Sequence, residues 1–291
     1  MPEILYEDNH VLVAVKPPNM LSQADQTRDT DILTWLKEDI RVRYGKPGRV
    51  YLGLVHRLDR PVGGLMVFAR TSKAASRLSA QMREHKLGRE YLCIVQGNPD
   101  SSFQLVDYLY KNERLNTVTV CGADVRGAQV AVLHGKVLAR RQDTALCAIR
   151  LETGRNHQIR VQMSHAGWPL WGDNRYGRGI PGQQIALWGY RLSFEHPTTR
   201  EVLTFMNLPY GGPWGAYQDV LSEMWQEYLR PAPPPEEDGD VAELDTEDAP
   251  DAEDAFEQVF VDEQPFEETE PDAENPNEDR SASRPMTDKG E

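Results

Sequence analysis

Cysteine is scarce in this 291-residue chain, with Cys93, Cys121 and Cys147 at long spacings. The number is odd and no CxxC pair occurs, which excludes a disulfide framework and a zinc site. Cys93 and Cys147 stand in apolar runs, as buried thiols of a reducing compartment do. Long hydrophobic runs are missing as well. The longest aliphatic run near the start, Val11 to Val15, is too short for a membrane span or a signal-peptide core, and no Arg- or Lys-rich segment precedes it. The expectation is a soluble, unexported, cytoplasmic protein with no membrane partner. There is no repeat of fixed period and no glycine-rich phosphate loop; Tyr176 to Gln184 (YGRGIPGQQ) lacks the spacing of a nucleotide fingerprint.

The net charge of −14 is unevenly spread. From Pro231 to Glu291 there are 23 Asp and Glu against 3 Lys and Arg, which leaves 29 basic and 23 acidic side chains in residues 1–230. The body is therefore mildly basic, which suits a polyanionic partner. Composition switches at RPAPPPEEDGD, so the chain divides into a body, 1–230, and an acidic Pro-rich tail, 231–291. The tail has too few aliphatics to offset its ordering entropy and is expected to be disordered. Its aromatic patch, Ala255 to Phe266, is either a docking motif or a less polar stretch of tail. The tail itself is either a solubility extension or an autoregulatory occupant of a basic cleft. Binding of a polyanion at low salt by a chain ending at Arg230 separates the two.

The body alternates short strands and helices. Apolar Ile32, Leu33, Leu36 and Ile40 predict a helix over 30–44 capped near Thr30. Ala74, Ala75, Leu78 and Met82 predict an amphipathic helix over 72–85 with Thr71 or Ser72 as cap. Residues 213–229 read as a closing helix. Strand-like runs lie at 11–15, 64–69, 90–96, 103–109, 117–121, 129–139, 144–151, 184–194 and 201–207. In 90–96, Tyr91, Cys93 and Val95 share one face, and Leu92 and Ile94 the other. Many strands, few helices and no regular βαβ repeat imply an α+β protein with a mostly antiparallel mixed sheet.

Two segments carry chemistry. In Gly53 to Arg70, a polar cluster of His56, Arg57, Leu58, Asp59 and Arg60 lies between apolar runs, with Pro61 and Gly63-Gly64 reading as a tight turn after it. Such a cluster is either a site or a solvated turn. In Leu151 to Gly177, a strand ends, Thr153-Gly154 turn, and a short helix begins with Asn156 as expected cap. Arg155 and Arg160 then offer two guanidinium groups that fit phosphate or carboxylate, or form an ordinary charged helix face.

Taken in order, ILYEDNHVLVAVKPPNM, HRLD, GLMVFART, REYLCIVQG and LETGRNHQIR resemble the RluA-type RNA pseudouridine synthase family over residues 4–210. The resemblance implies a mixed, mainly antiparallel central sheet flanked by helices, with the active-site cleft across it. It implies an isomerase acting on ribosomal or transfer RNA, read here as a monomer taking an RNA stem-loop, with no cofactor and no metal. By this likeness Asp59 is the catalytic carboxylate, Tyr91 packs against the target base, and Arg160 pairs with the aspartate. Arg57, Lys16, His56, Arg155, His157 and Gln158 are the expected RNA contacts. The chain departs at Val62-Gly63, where many relatives have Thr-Ser, and at Gln162, where many have His. With the first motif at Ile4, the S4 domain that precedes many relatives' catalytic domain is expected to be missing.

The reaction breaks N1–C1′ of uridine, turns the base and joins C5 to C1′, which needs no redox group. Leaving the stack costs the uridine a few kcal/mol, and stacking on an aromatic ring returns about 1–3 kcal/mol. Three first contacts fit an ionised aspartate: C1′, C6 or a C2′ proton. Arg160 is read as orienting the carboxylate, so that Arg160→Met should leave stability nearly intact. Two rival readings are an RNA-binding module without catalysis and a glycoside hydrolase, which needs a pair of carboxylates.

Overall fold

The computed structural model describes residues 1–230; the acidic segment from 231 onward, with its aromatic patch and its expected disorder, lies outside the described residues. Among the described residues eleven strands form one sheet. Across it run β1 (Glu3–Glu7), β2 (Val11–Lys16), β4 (Gly63–Ala69), β10 (Leu187–Glu195), β5 (Gly88–Gln96), β9 (Thr144–Leu151), β8 (Gln129–Arg141), β6 (Ser102–Asn112) and β7 (Thr117–Cys121). β3 (Gly53–Leu54) pairs with β4, and β11 (Val202–Met206) with β10. Among the described residues β4 and β10 pair in parallel and the other named pairs are antiparallel. The mixed, mainly antiparallel α+β architecture is the expected one.

Both faces of the central strands are covered, which explains their continuous apolar runs. On one face Leu12, Ala14, Met66, Phe68, Tyr91, Cys93 and Val95 pack with α1 (Ile32–Arg43) and α3 (Gln158–His165). On the other, Val11, Val13, Leu65, Val67, Leu92 and Ile94 pack with α2 (Ser72–Arg83) and α4 (Gln218–Leu229). The alternation read in residues 90–96 is thus a division between two cores. Cys93 and Cys147 are buried and directly opposed across β5 and β9. No helix among the described residues is long and apolar enough to cross a membrane.

Helix starts show where local chemistry and expectation differ. Thr71 caps α2 as expected, accepting from the Ala74 N–H. α1 is capped one residue later than expected, by Asp31 through the Thr34 N–H. The closing helix is split: a 3-10 turn, Gly212–Tyr217, carries Pro213 and precedes α4. Its buried stripe ends at Leu221, whereas Trp225 and Tyr228 are each 37 % exposed.

Gly63 and Gly64 belong to β4 instead of the tight turn read there. The turn is closed earlier, where the Val62 N–H donates to the Asp59 carbonyl at 3.0 Å. A Cβ on Gly64 would lie 2.3 Å from the Gly189 carbonyl oxygen, and its φ of +128° disfavours any side chain. Gly64 lets β4 and β10 approach backbone to backbone, and Gly63 leaves room for the Trp188 ring, immediately beyond the loop that carries Asp59.

Candidate active site

Asp59 lies in the loop between β3 and β4, and its neighbours on both sides are tied down. Ser22 Oγ donates to the Leu58 carbonyl at 2.7 Å and accepts from the Leu58 N–H at 3.0 Å. Lys16 Nζ donates to the Arg60 carbonyl at 3.1 Å. The Asp59 side chain is 26 % exposed. It stands in an open cleft of about 870 Å³ whose walls carry Arg57, Arg60, Arg89, Lys111, Arg155 and Arg175, against the acidic Asp25 and Asp59. An inner recess brings Asp59, Tyr91, His157 and Arg160 together with the apolar Val62 and Leu187.

Arg160 projects from the first turn of α3 and is 5 % exposed. Its Nη1 donates to Asp59 Oδ2 at 3.2 Å. Its Nε and Nη2 donate to the two oxygens of Asp173, each at 2.8 Å. Asp173 is 1 % exposed and also accepts the N–H groups of Arg175 and Tyr176, at 2.9 and 3.2 Å. Burial opposes the charge on each partner, but the pair outweighs it: Arg160 stays above the ordinary guanidinium pKa and Asp173 below the ordinary carboxylate value. The doubly held arginine thus presents one fixed N–H edge to Asp59.

His157 is the third group at the carboxylate. Its Nε2 is 3.7 Å from Asp59 Oδ2, and its Nδ1 is 2.6 Å from Tyr176 Oη. Burial first, then Arg160 and Arg175, pulls its pKa below the ordinary imidazole value, against Asp59 and Asp173. Tyr91 is 6 % exposed on the α1–α3 face, and burial raises its phenol pKa, which keeps it neutral. A carboxylate, a buried guanidinium and a neutral aromatic ring therefore meet under a basic cleft.

A family model described as RNA pseudouridylate synthase matches residues 10–165, more than half of the chain. The chain belongs to the RNA pseudouridylate synthase family. Its members are isomerases. "Ribosomal large subunit pseudouridine synthase D" of Zymomonas mobilis is 33 % identical over 215 residues, covering 70 % of this chain and 68 % of that one. "tRNA pseudouridine synthase C" of Yersinia pestis is 30 % identical over 243 residues, covering 77 % of this chain and 91 % of that one. "Human RNA Pseudouridylate Synthase Domain Containing 4" shares the fold, with a TM-score of 0.60 at 21 % identity over 76 % of this chain and 92 % of that one.

In this pseudouridine synthase the sequence-predicted Asp59, Tyr91 and Arg160 share the recess, and Arg57, Arg155 and His157 line the cleft. Three of the expected RNA contacts are buried and bonded within the protein, His56 at the wall of the cleft and Gln158 at the recess. Lys16 is 0 % exposed, and its Nζ donates to the carbonyls of Pro17, Met20 and Arg60 at 3.1, 2.7 and 3.1 Å. His56 is 7 % exposed and accepts the Val67 N–H at 3.2 Å; burial, helped by Arg89, drops its pKa to about 3. Gln158 is 3 % exposed, accepts from Thr153 Oγ1 and the Arg155 N–H, and donates to the Val132 carbonyl. It ties the start of α3 to β8, and the cap expected at Asn156 is not formed. Instead, His157 occupies the cap position in a left-handed conformation, with no side-chain cap bond.

Lys16 makes a direct prediction. Burial, against the pull of Asp59, lowers its pKa to about 7. Lys16→Met removes three hydrogen bonds and orphans the carbonyls of Pro17, Met20 and Arg60, which should cost about 3 kcal/mol. Denaturant unfolding measures this. Because the native pKa lies below the unfolded one, the unfolded chain binds more protons between about pH 7 and 10.5, so this group's contribution favours the fold increasingly as pH rises through that window. Lys16→Met should lose that slope.

Asp173 and Tyr176 were missed by sequence reasoning. The available signal was Arg160 in a helix whose Ile159, Val161 and Met163 are apolar: a guanidinium buried among them requires a carboxylate partner.

Proposed function

We propose that the chain isomerises uridine to pseudouridine in a stem-loop of ribosomal or transfer RNA, with Asp59 as the catalytic group. The observation that carries this reading is the Asp59–Arg160 contact at 3.2 Å in a recess shared with Tyr91, at the foot of a cleft with basic walls. The cleft neutralises phosphates, and the recess takes the base once it has left its stack. Tyr91 serves as its aromatic platform. Arg160 aims the carboxylate and takes no proton itself. The C5 proton leaves as the new C–C bond forms, and N1 gains one. This chemistry is proposed to need no cofactor. The names of the relatives support both RNA classes, since one acts on the large ribosomal subunit's RNA and another on tRNA. A monomeric, cytoplasmic enzyme is part of the proposal.

The hydrolase reading finds no support in Asp173. That carboxylate is 1 % exposed and engaged at both oxygens by Arg160, so it cannot activate a water as the second acid of a glycosidase pair.

Incubating the chain with transcripts of ribosomal RNA domains and of tRNAs, followed by mapping of pseudouridine, tests the proposal. Pseudouridine at a discrete stem-loop position is the expected result; none in either RNA class would sink it. Binding should weaken steeply with salt, and Arg57→Ala or Arg155→Ala should flatten that dependence by about one counterion each in a titration of RNA affinity against salt.

A further inference from the structure

Tyr176 has no part in the reading above, yet it is wired to the catalytic carboxylate. Its Oη accepts the Val118 N–H at 3.0 Å and lies 2.6 Å from His157 Nδ1. Its ring sits 5.1 Å from the Arg160 guanidinium carbon. Burial raises its pKa, so the phenol keeps its proton. That proton needs an acceptor, and Val118 already occupies a lone pair of the same oxygen. Giving the proton to His157 Nδ1 satisfies both groups. The neutral ring then carries its own proton on Nε2, the atom that faces Asp59 Oδ2 at 3.7 Å.

The backbone points the same way. His157 has φ +53°, a left-handed conformation that costs a non-glycine residue about 1 kcal/mol or more. The conformation forgoes a side-chain cap for α3 and sends the ring into the recess instead.

We propose that Tyr176 is a positioning residue: it holds His157 in the neutral Nε2–H form and turns that N–H dipole toward Asp59, 3.7 Å away and beside the Arg160 donor. The proposal deepens the assignment of Asp59 and rests on it. The charged and titratable groups facing His157 are Asp59, Arg160, Asp173, Arg175 and Tyr176. A phenol donating to Nδ1 stabilises the neutral ring, because protonating Nδ1 would reverse that bond and orphan the phenol proton. Without the phenol, His157 takes up a proton more readily and becomes an imidazolium next to Asp59. The carboxylate is then locked in an ion pair up to a higher pH than in the wild type.

Nitrogen-15 NMR of the full chain labelled at its seven histidines, with His157→Gln identifying the signal, tests this alongside pH profiles of kcat. The wild type should show His157 neutral with its proton on Nε2. In Tyr176→Phe the His157 titration should rise by about 0.5 pH unit or more, the acid limb of kcat should rise with it, and the rates should converge with wild type at high pH. The double variant Tyr176→Phe/His157→Gln should show no limb shift relative to His157→Gln. A wild-type ring protonated on Nδ1, an unmoved His157 titration, or a uniform loss of kcat with no limb shift would overturn the proposal. If no variant and no wild-type protein formed pseudouridine, the Asp59 assignment would fail instead, and the NMR result would still decide the tautomer.

Discussion

Asp59→Asn should lower tritium release from RNA carrying 5-tritiated uridine by at least about 1,000-fold, equivalent to about 4 kcal/mol of barrier. The amide keeps the shape of the carboxylate and can still accept from Arg160 Nη1, so the recess should survive. What it loses is the negative charge that serves as nucleophile or proton acceptor. Stability should change by less than about 1 kcal/mol, because Arg160 keeps its stronger, two-pronged bond to Asp173. RNA affinity should hold or rise, since a negative charge leaves a basic cleft. Near-wild-type release by a folded Asp59→Asn protein would refute the assignment. Retained RNA binding with no activity in either protein would favour the binding-module reading.

Arg160→Met should be both inactive and unstable. The sequence-based expectation of near-intact stability is corrected by Asp173. Removing Arg160 leaves that carboxylate 1 % exposed with two backbone N–H bonds and no counter-charge. Breaking a buried pair from one side costs about 3–5 kcal/mol. The sign of its pH dependence follows from Asp173. Its native pKa is depressed, so the pair's stabilisation is present above the ordinary carboxylate pKa of about 3.9 and fades as pH falls through the native value. The gap in melting temperature between wild type and Arg160→Met should therefore be widest near neutrality and narrow in acid. Arg160→Met/Asp173→Asn should recover much of the stability and none of the activity. A double variant that regained activity would show that Arg160 serves the fold alone.

The fold was legible where burial imposes a pattern. The alternation of Tyr91, Cys93 and Val95 against Leu92 and Ile94 reports two cores on the two faces of one strand, and the Thr71 cap with its Ala74 and Leu78 stripe reports α2. The proposed catalytic set rests on ordered motifs, since HRLD alone fits a surface turn equally well. Long-range polar partners were not legible. Nothing near Lys16 in the sequence tells that its ammonium closes on the Arg60 carbonyl, 44 residues away, so a buried strut read as an RNA contact. His56 and Gln158 have protein partners that were invisible for the same reason: polar type marks a need for partners, and only the fold says which of them the protein supplies. Asp173 and Tyr176 lie beyond the end of α3, where loop geometry rather than periodicity returns the chain to Arg160 and His157.

The central claim is that this chain rearranges an RNA uridine without cleaving it from the strand. The most direct test is to incubate purified full-length protein with RNA carrying 5-tritiated uridine, measure tritium release, and digest the same RNA to nucleosides. The account predicts tritium released in a one-to-one ratio with new pseudouridine, with the strand intact and no free uracil. Free uracil, or pseudouridine-free RNA that the protein nonetheless binds, would contradict it.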